Sequence, residues 1–155
     1  MKTDLNSSLS SYFNEDLENP KYLYLGASTE IDFEKLKIRN AHNKNFSMRL
    51  TSHYNSAVAD AFTLKIAEKN VGRDYMIDVK NDRIPILIAQ DIIEPDNYEE
   101  GLLYIFECPD DAIDEGECYF RVKRPLIPVK VKTLVYRDHK GYFKINPNKQ
   151  KIKTL

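Results

Sequence analysis

The spacing of apolar and polar positions changes along the chain, and the change predicts helices early and strands later. Residues 1–19 (MKTDLNSSLSSYFNEDLEN) are polar, with Leu5, Leu9, Tyr12, Phe13 and Leu17 at helical spacing. This predicts a short amphipathic helix, capped near Asp4 or Asn6 and ended by Pro20. In KYLYLGAST, Tyr22 and Tyr24 face one side and Leu23 and Leu25 the other, a strand that Gly26 breaks into a loop. Residues 31–38 (IDFEKLKI) fit one helical turn or an irregular connector, RNAHNKN reads as a loop, and 46–50 as a short strand. The strongest helix is SHYNSAVADAFTLKIAEKNVG, with Val58, Phe62 and Ile66 four residues apart and Ala57 and Ala61 beside them. Ser52 or Asn55 would cap its start, and Asn70 or Gly72 would end it.

Beyond that helix come DYMIDVK, PILIAQ, LLYIFE, CYFRVK and PVKVKTLVYR, with GYFKI as a last strand, most of them separated by Pro, Asn, Asp or Gly. Helices first and consecutive strands afterwards predict an α+β domain rather than a doubly wound one. The expected architecture has largely antiparallel, split sheets, an N-terminal helix and one central Ala-rich helix. The expected organisation is an N-terminal helical segment at 1–19, a single domain at 20–146 and a mobile basic tail at 147–155.

Composition narrows the classes. No apolar run in the 155 residues approaches the roughly 18–20 needed to span a bilayer. The N-terminus also lacks the apolar core of a secretory signal, so the expectation is a cytoplasmic protein without membrane contact. The net charge of −1 hides an asymmetry: residues 121–155 hold eleven Lys/Arg and one acid, Asp138, whereas 91–117 hold eleven acids and no Lys or Arg. Either these segments pair with each other and leave a solvated face, or the basic one meets a polyanion. Cys108 and Cys118 have no CxxC spacing and read as ordinary thiols, and His42, His53 and His139 are too scattered to suggest a metal set. No Gly-rich phosphate loop, HExxH, GxSxG or EF-hand pattern occurs.

Three segments taken in order resemble the compact ADP-ribosyltransferase fold of small bacterial toxins and poly-ADP-ribose polymerase catalytic domains. Residues 22–28 (YLYLGAS) look like the family's aromatic-His-Gly-Thr/Ser strand end or its Arg-Gly counterpart. FSMRLTSHY leading into AVADAF is similar to its strand, Thr/Ser and Ala-rich helix unit. EGE through YFRV to PLIPV looks like its late catalytic strand followed by a Pro-hydrophobic-x-Pro turn. The resemblance implies an NAD-dependent ADP-ribosyltransferase or NAD glycohydrolase that cleaves the nicotinamide–ribose bond and passes ADP-ribose to a macromolecular acceptor or to water. It assigns cofactor contacts to Tyr24, Gly26, Ser28, Arg49, Thr51 and Tyr54. The Gly26 backbone would receive the nicotinamide amide, Tyr24 and Tyr54 would stack on a ring, and Arg49 would pair with the diphosphate. Tyr24 and Tyr54 also have a plainer reading as packing, and Arg49 as a surface strand arginine.

Two positions decide activity. The family's His or Arg falls on Leu25, which can neither donate nor accept a hydrogen bond. Aligned on the Glu-x-Glu at 115–117, Glu117 is catalytic and Glu115 orients the acceptor; aligned backward from PLIP, the catalytic position falls on Tyr119. A carboxylate beside an oxocarbenium-like centre is typically worth on the order of 2.7–4 kcal/mol, which a neutral phenol does not supply. Glu115 and Glu117 equally fit an acidic turn.

Two other classes compete with the enzyme. One is a catalytically degenerate member acting as a protein-interaction module. The other is a nucleic-acid-binding domain using residues 121–155, with Tyr119, Phe120, Tyr136, Tyr142 and Phe143 interleaved with Lys and Arg. A nuclease version of the latter would use Asp78-Val79-Lys80, with no acidic partner identifiable upstream.

Overall fold

A computed structural model describes residues 12–72, 76–79, 85–88, 93–139 and 144–146. Nine strands and three helices occur among them: β1 (Tyr22–Ala27), α1 (Phe33–Arg39), β2 (Met48–Thr51), α2 (Tyr54–Lys69), β3 (Met76–Val79), β4 (Pro85–Ile88), β5 (Glu100–Glu107), β6 (Ile113–Gly116), β7 (Tyr119–Val122), β8 (Lys130–Val135), α3 (Tyr136–His139) and β9 (Lys144–Asn146). The larger sheet is antiparallel, in the order β6-β7-β2-β1-β5-β8, and β3-β4-β9 form a second sheet. The fold is α+β, as the change of period predicts. In the smaller sheet β3 pairs antiparallel with β4, and β4 parallel with β9.

Contacts divide the chain into two compact units, the first comprising Met1–Leu25, Ile31–Tyr54 and Tyr104–Val131, the second Gly26–Glu30, Asn55–Leu103 and Lys132–Leu155. In the first unit, β2 and β7 pair Leu50 with Phe120 and Met48 with Val122, setting apolar side chains on the core face. Phe33 of α1 meets Tyr104 and Phe106 edge-on, with ring centroids 4.7 and 5.3 Å away. Helix α1 is a true helix rather than a connector because its ends are satisfied. Asp32 accepts from the Lys35 amide, and the Asn40 amide and side chain both donate to the Leu36 carbonyl.

The second unit is built around α2, whose Ala57, Val58, Ala61, Phe62 and Ile66 are fully buried, in agreement with the predicted stripe. Phe62 meets Tyr136 edge-on at 5.4 Å, and the Tyr136 hydroxyl donates to the Glu94 carboxylate at 2.8 Å. Asn70 follows the helix and is itself buried. Its side chain donates to the Ile66 and Ile93 carbonyls and accepts from the Ile93 amide. Of the predicted start caps, Asn55 is already inside the helix, and the Ser52 hydroxyl donates to the Leu17 carbonyl at 2.8 Å.

Three expectations are corrected. The described part of the predicted N-terminal helix, 12–19, consists of turns and bends, and the remainder lies outside the described residues. Its Asn and Asp side chains compete for the backbone: Asp16 accepts from the Glu18 amide and Asn14 from the Lys21 and Tyr22 amides. Gly26 does not end the first strand but lies within β1. The acidic stretch before Cys118 is not only a turn, since Ile113–Gly116 form β6.

Candidate functional site

The three segments carrying the family resemblance become adjacent strands. Tyr24 of β1 stands opposite Thr51 of β2, and Thr51 opposite Tyr119 of β7, so positions nearly a hundred residues apart form one cross-strand row. Thr51 is buried, its hydroxyl donating to the Cys118 carbonyl at 2.9 Å and accepting from the His53 amide. Tyr24 is 1 % exposed, with its hydroxyl donating to the Tyr12 carbonyl and Tyr54 edge-on against its ring at 5.7 Å. Burial pushes the Tyr24 phenol up to about 12. Tyr54 in turn meets Phe13 at 4.8 Å.

The residues preceding β1 cover this end of the row. Asn14 donates to the Tyr22 and Ser52 carbonyls while accepting from the Lys21 and Tyr22 amides, a four-bond clamp from one side chain. Nothing in the sequence alone marked Asn14. Its signal is an Asn, a residue type apt to bond backbone, next to a predicted strand.

The two glutamates have different surroundings. Gly116 pairs with Tyr119 across a two-residue loop, and a register shift between Asp114 and Gly116 makes Glu115 the extra residue of a bulge. Arg49 and Arg121 face each other across β2 and β7, a like-charged pair that would repel. Glu115 lies against both, 2.6 Å from Arg121 and 3.5 Å from Arg49. The Arg49 guanidinium also covers the Tyr119 ring at 4.2 Å. Glu115 therefore holds an arginine pair together. Glu115→Gln is expected to lower stability by about 1 kcal/mol because the groups are partly solvent-screened, a loss that urea unfolding would register and added salt would shrink.

Glu117 occupies the loop itself, exposed, at φ +54°, followed by Cys118 at φ +67°. Positive φ at both residues suits a tight hairpin but is costly for residues with a side chain. The Cys118 carbonyl, held by the Thr51 hydroxyl and the Ser52 amide, fixes the turn beside the row.

Gly26 and Ser28 belong to the second unit, and the other six predicted site residues to the first. A Cβ on Gly26 would stand 1.8 Å from the Ala57 carbonyl oxygen, so this glycine receives the backbone of α2. Ser28 is half-buried in the bend after β1.

Among the described residues, no group of three or more His, Cys, Asp or Glu is arranged to hold a metal ion, and no helix is long and apolar enough to cross a membrane. His139 has its Nδ1 2.9 Å from the Val135 carbonyl. Burial pushes the Cys108 thiol up, which leaves it less reactive than an ordinary thiol. Asp78 lies in β3, whereas Lys80 and the predicted tail at 147–155 lie outside the described residues. The opposed acidic and basic segments pair in part, through Arg121 with Glu115 and Arg124 with Asp111.

The first unit also contains an open cleft of about 780 Å³ between the end of α1 with its following loop and the turn at 123–127. Lys37, His42, Lys44, Lys123 and Arg124 contribute to its lining. RNAHNKN, legible in sequence only as a loop, thus supplies one wall. Comparison with protein-family models, with curated proteins and with solved structures finds no match to the chain.

Proposed function

We propose that the chain is a non-enzymatic interaction module built on an ADP-ribosyltransferase-like layout. The observation that carries this reading is the Tyr24–Thr51–Tyr119 row. It sets the three resembling segments side by side and supports the alignment counted back from the Pro-Leu-Ile-Pro turn, which gives the catalytic carboxylate's position to Tyr119. Both deciding positions then lack the required chemistry. Leu25 offers no hydrogen bond to a ribose or phosphate, and Tyr119 places a phenol where a carboxylate is required. The surroundings support the same reading. The Tyr24 hydroxyl is engaged by Tyr12, Arg49 and Glu115 are engaged with each other and with β7, and Gly26 is packed against α2.

One observation favours NAD cleavage as a second reading. Glu117 holds a positive φ in a turn fixed beside the row, and backbone strain of that kind clusters at functional positions. In that reading Glu117 stabilises the cation as nicotinamide leaves, and no metal takes part.

Thermal unfolding with millimolar NAD separates the two. A ligand at a hundred times its Kd stabilises the folded state by about 2.7 kcal/mol, roughly 5–10 °C for a chain of this size. The module reading predicts no such rise. A saturable rise of that size would count against it.

A further inference from the structure

We propose that the cleft between the end of α1 and the turn at 123–127 takes the phosphate backbone of a single-stranded nucleic acid. Such a strand would be the partner of the interaction module, and only the role of the complex, not its formation, rests on that reading. The cleft shares no residue with the Tyr24–Thr51–Tyr119 row. Four permanent cations, Lys37, Lys44, Lys123 and Arg124, line it together with His42, and no carboxylate is among the described lining residues. Cations lining one concavity raise the local positive potential, which concentrates an anion there.

The nearest competitor for the anion is weak. Arg124 lies 3.3 Å from Asp111, but both side chains are more than half exposed, a pair that contributes about 0–1 kcal/mol. Two of the terminal carbonyls of α1, which would repel an anion, accept hydrogen bonds from the following loop. The Asn40 amide and side chain bond to the Leu36 carbonyl, and the Ala41 amide bonds to that of Ile38.

Shape and chemistry select the occupant. A volume of about 780 Å³ exceeds the space of one phosphate. The His42 ring and the Arg124 guanidinium can stack on unpaired bases, which a single strand offers and a duplex does not. His42 is the one aromatic ring among the described lining residues, so stacking is limited and recognition falls mainly on the phosphates. The expected binding is therefore indifferent to sequence and strongly salt-dependent.

The test is fluorescence anisotropy of labelled single-stranded oligo-dT and oligo-U across a salt series. It uses the whole protein and the variant Lys44→Gln/Lys123→Gln. Both positions are exposed, so the variant is expected to keep the wild-type Tm. Neutralising up to four phosphates gives a log K against log salt slope of about −3, from roughly −0.7 per phosphate on a single strand. The variant should shallow that slope by about 1.4 and weaken binding on the order of tenfold.

An unchanged slope in the variant would assign binding to basic residues elsewhere, such as Lys149, Lys151 and Lys153, and would overturn the proposal. So would equal or tighter binding of a duplex, or displacement of the strand by a mononucleotide at equal phosphate concentration. Binding to anionic phospholipid vesicles that is lost in the variant, with no oligonucleotide binding, would reassign the cleft to a membrane surface. Nicotinamide release is read separately, so failure here leaves the reading of the NAD site standing.

Discussion

Gly26→Ala is expected to be among the most damaging single substitutions in the chain, costing about 3 kcal/mol or more. The added Cβ would stand 1.8 Å from the Ala57 carbonyl oxygen and 2.7 Å from the Ala61 amide nitrogen. Both are backbone atoms of a buried helix, which cannot swing aside as a side chain would. Overpacking of a core ordinarily costs about 1–3 kcal/mol, and a clash with backbone belongs at or above the top of that range. Gly101 supplies the internal comparison, since its added Cβ would meet the Ala61 Cβ and carbonyl oxygen at 2.9 Å. Gly101→Ala should therefore destabilise less. At roughly 2–4 °C per kcal/mol, calorimetry should place the Gly26→Ala melting temperature at least 6 °C below wild type, with Gly101→Ala between them. Equal melting temperatures for wild type and Gly26→Ala would show that α2 does not rest on this glycine. A position that resembles a nicotinamide contact would then be open to a ligand.

Asn14→Ala is the second large effect, expected to cost about 2–3 kcal/mol. The side chain satisfies two carbonyls, of Tyr22 and Ser52, and two amides, of Lys21 and Tyr22. Removing it strands partly buried backbone groups, and each buried group left without a partner costs about 1–3 kcal/mol where water cannot replace it. Asn14→Asp is the informative companion. It keeps the acceptor for the two amides but loses both donors and turns a carboxylate oxygen toward two carbonyls. It should therefore also destabilise, which a role for Asn14 as a mere turn former would not produce. Loosening residues 12–19 by either change should also raise protease cleavage before β1, because Tyr12, Asn14 and Leu17 make the contacts that hold this segment down.

Particular residues show why some of the fold was legible in the sequence and some was not. Helix α2 could be read because burial of Val58, Phe62 and Ile66 leaves a period that no other element produces. The strands beyond it alternate or run apolar between turn residues; β3, β4, β7 and β8 fall within the predicted segments, and β5 and β9 overlap theirs. Strand β6 could not be read. All four of its residues are exposed, so IDEG has no buried face to leave a pattern, and its pairing with β7 is what makes it a strand. The N-terminal segment shows the opposite failure: helical spacing of apolar residues was present, but Asn14 and Asp16 gave the backbone other partners.

The candidate site divides along the same line. The resemblance named Tyr24 and Thr51, and only strand register shows that they lie in one row with Tyr119. Sequence spacing suggested Glu115 as one of an acidic pair. It could not show that Arg49 and Arg121 face each other across two strands and need a carboxylate between them. The cleft was invisible for a related reason, since its cations come from positions 37–44 and 123–124, far apart in the chain.

Nicotinamide release from NAD, followed by chromatography for wild type and Glu117→Gln in parallel, tests the central claim most directly. The interaction-module account predicts that the two proteins release nicotinamide at the same rate, that of the protein-free blank. Release by the wild type that falls roughly a hundredfold to a thousandfold in Glu117→Gln would contradict it and make Glu117 the catalytic carboxylate.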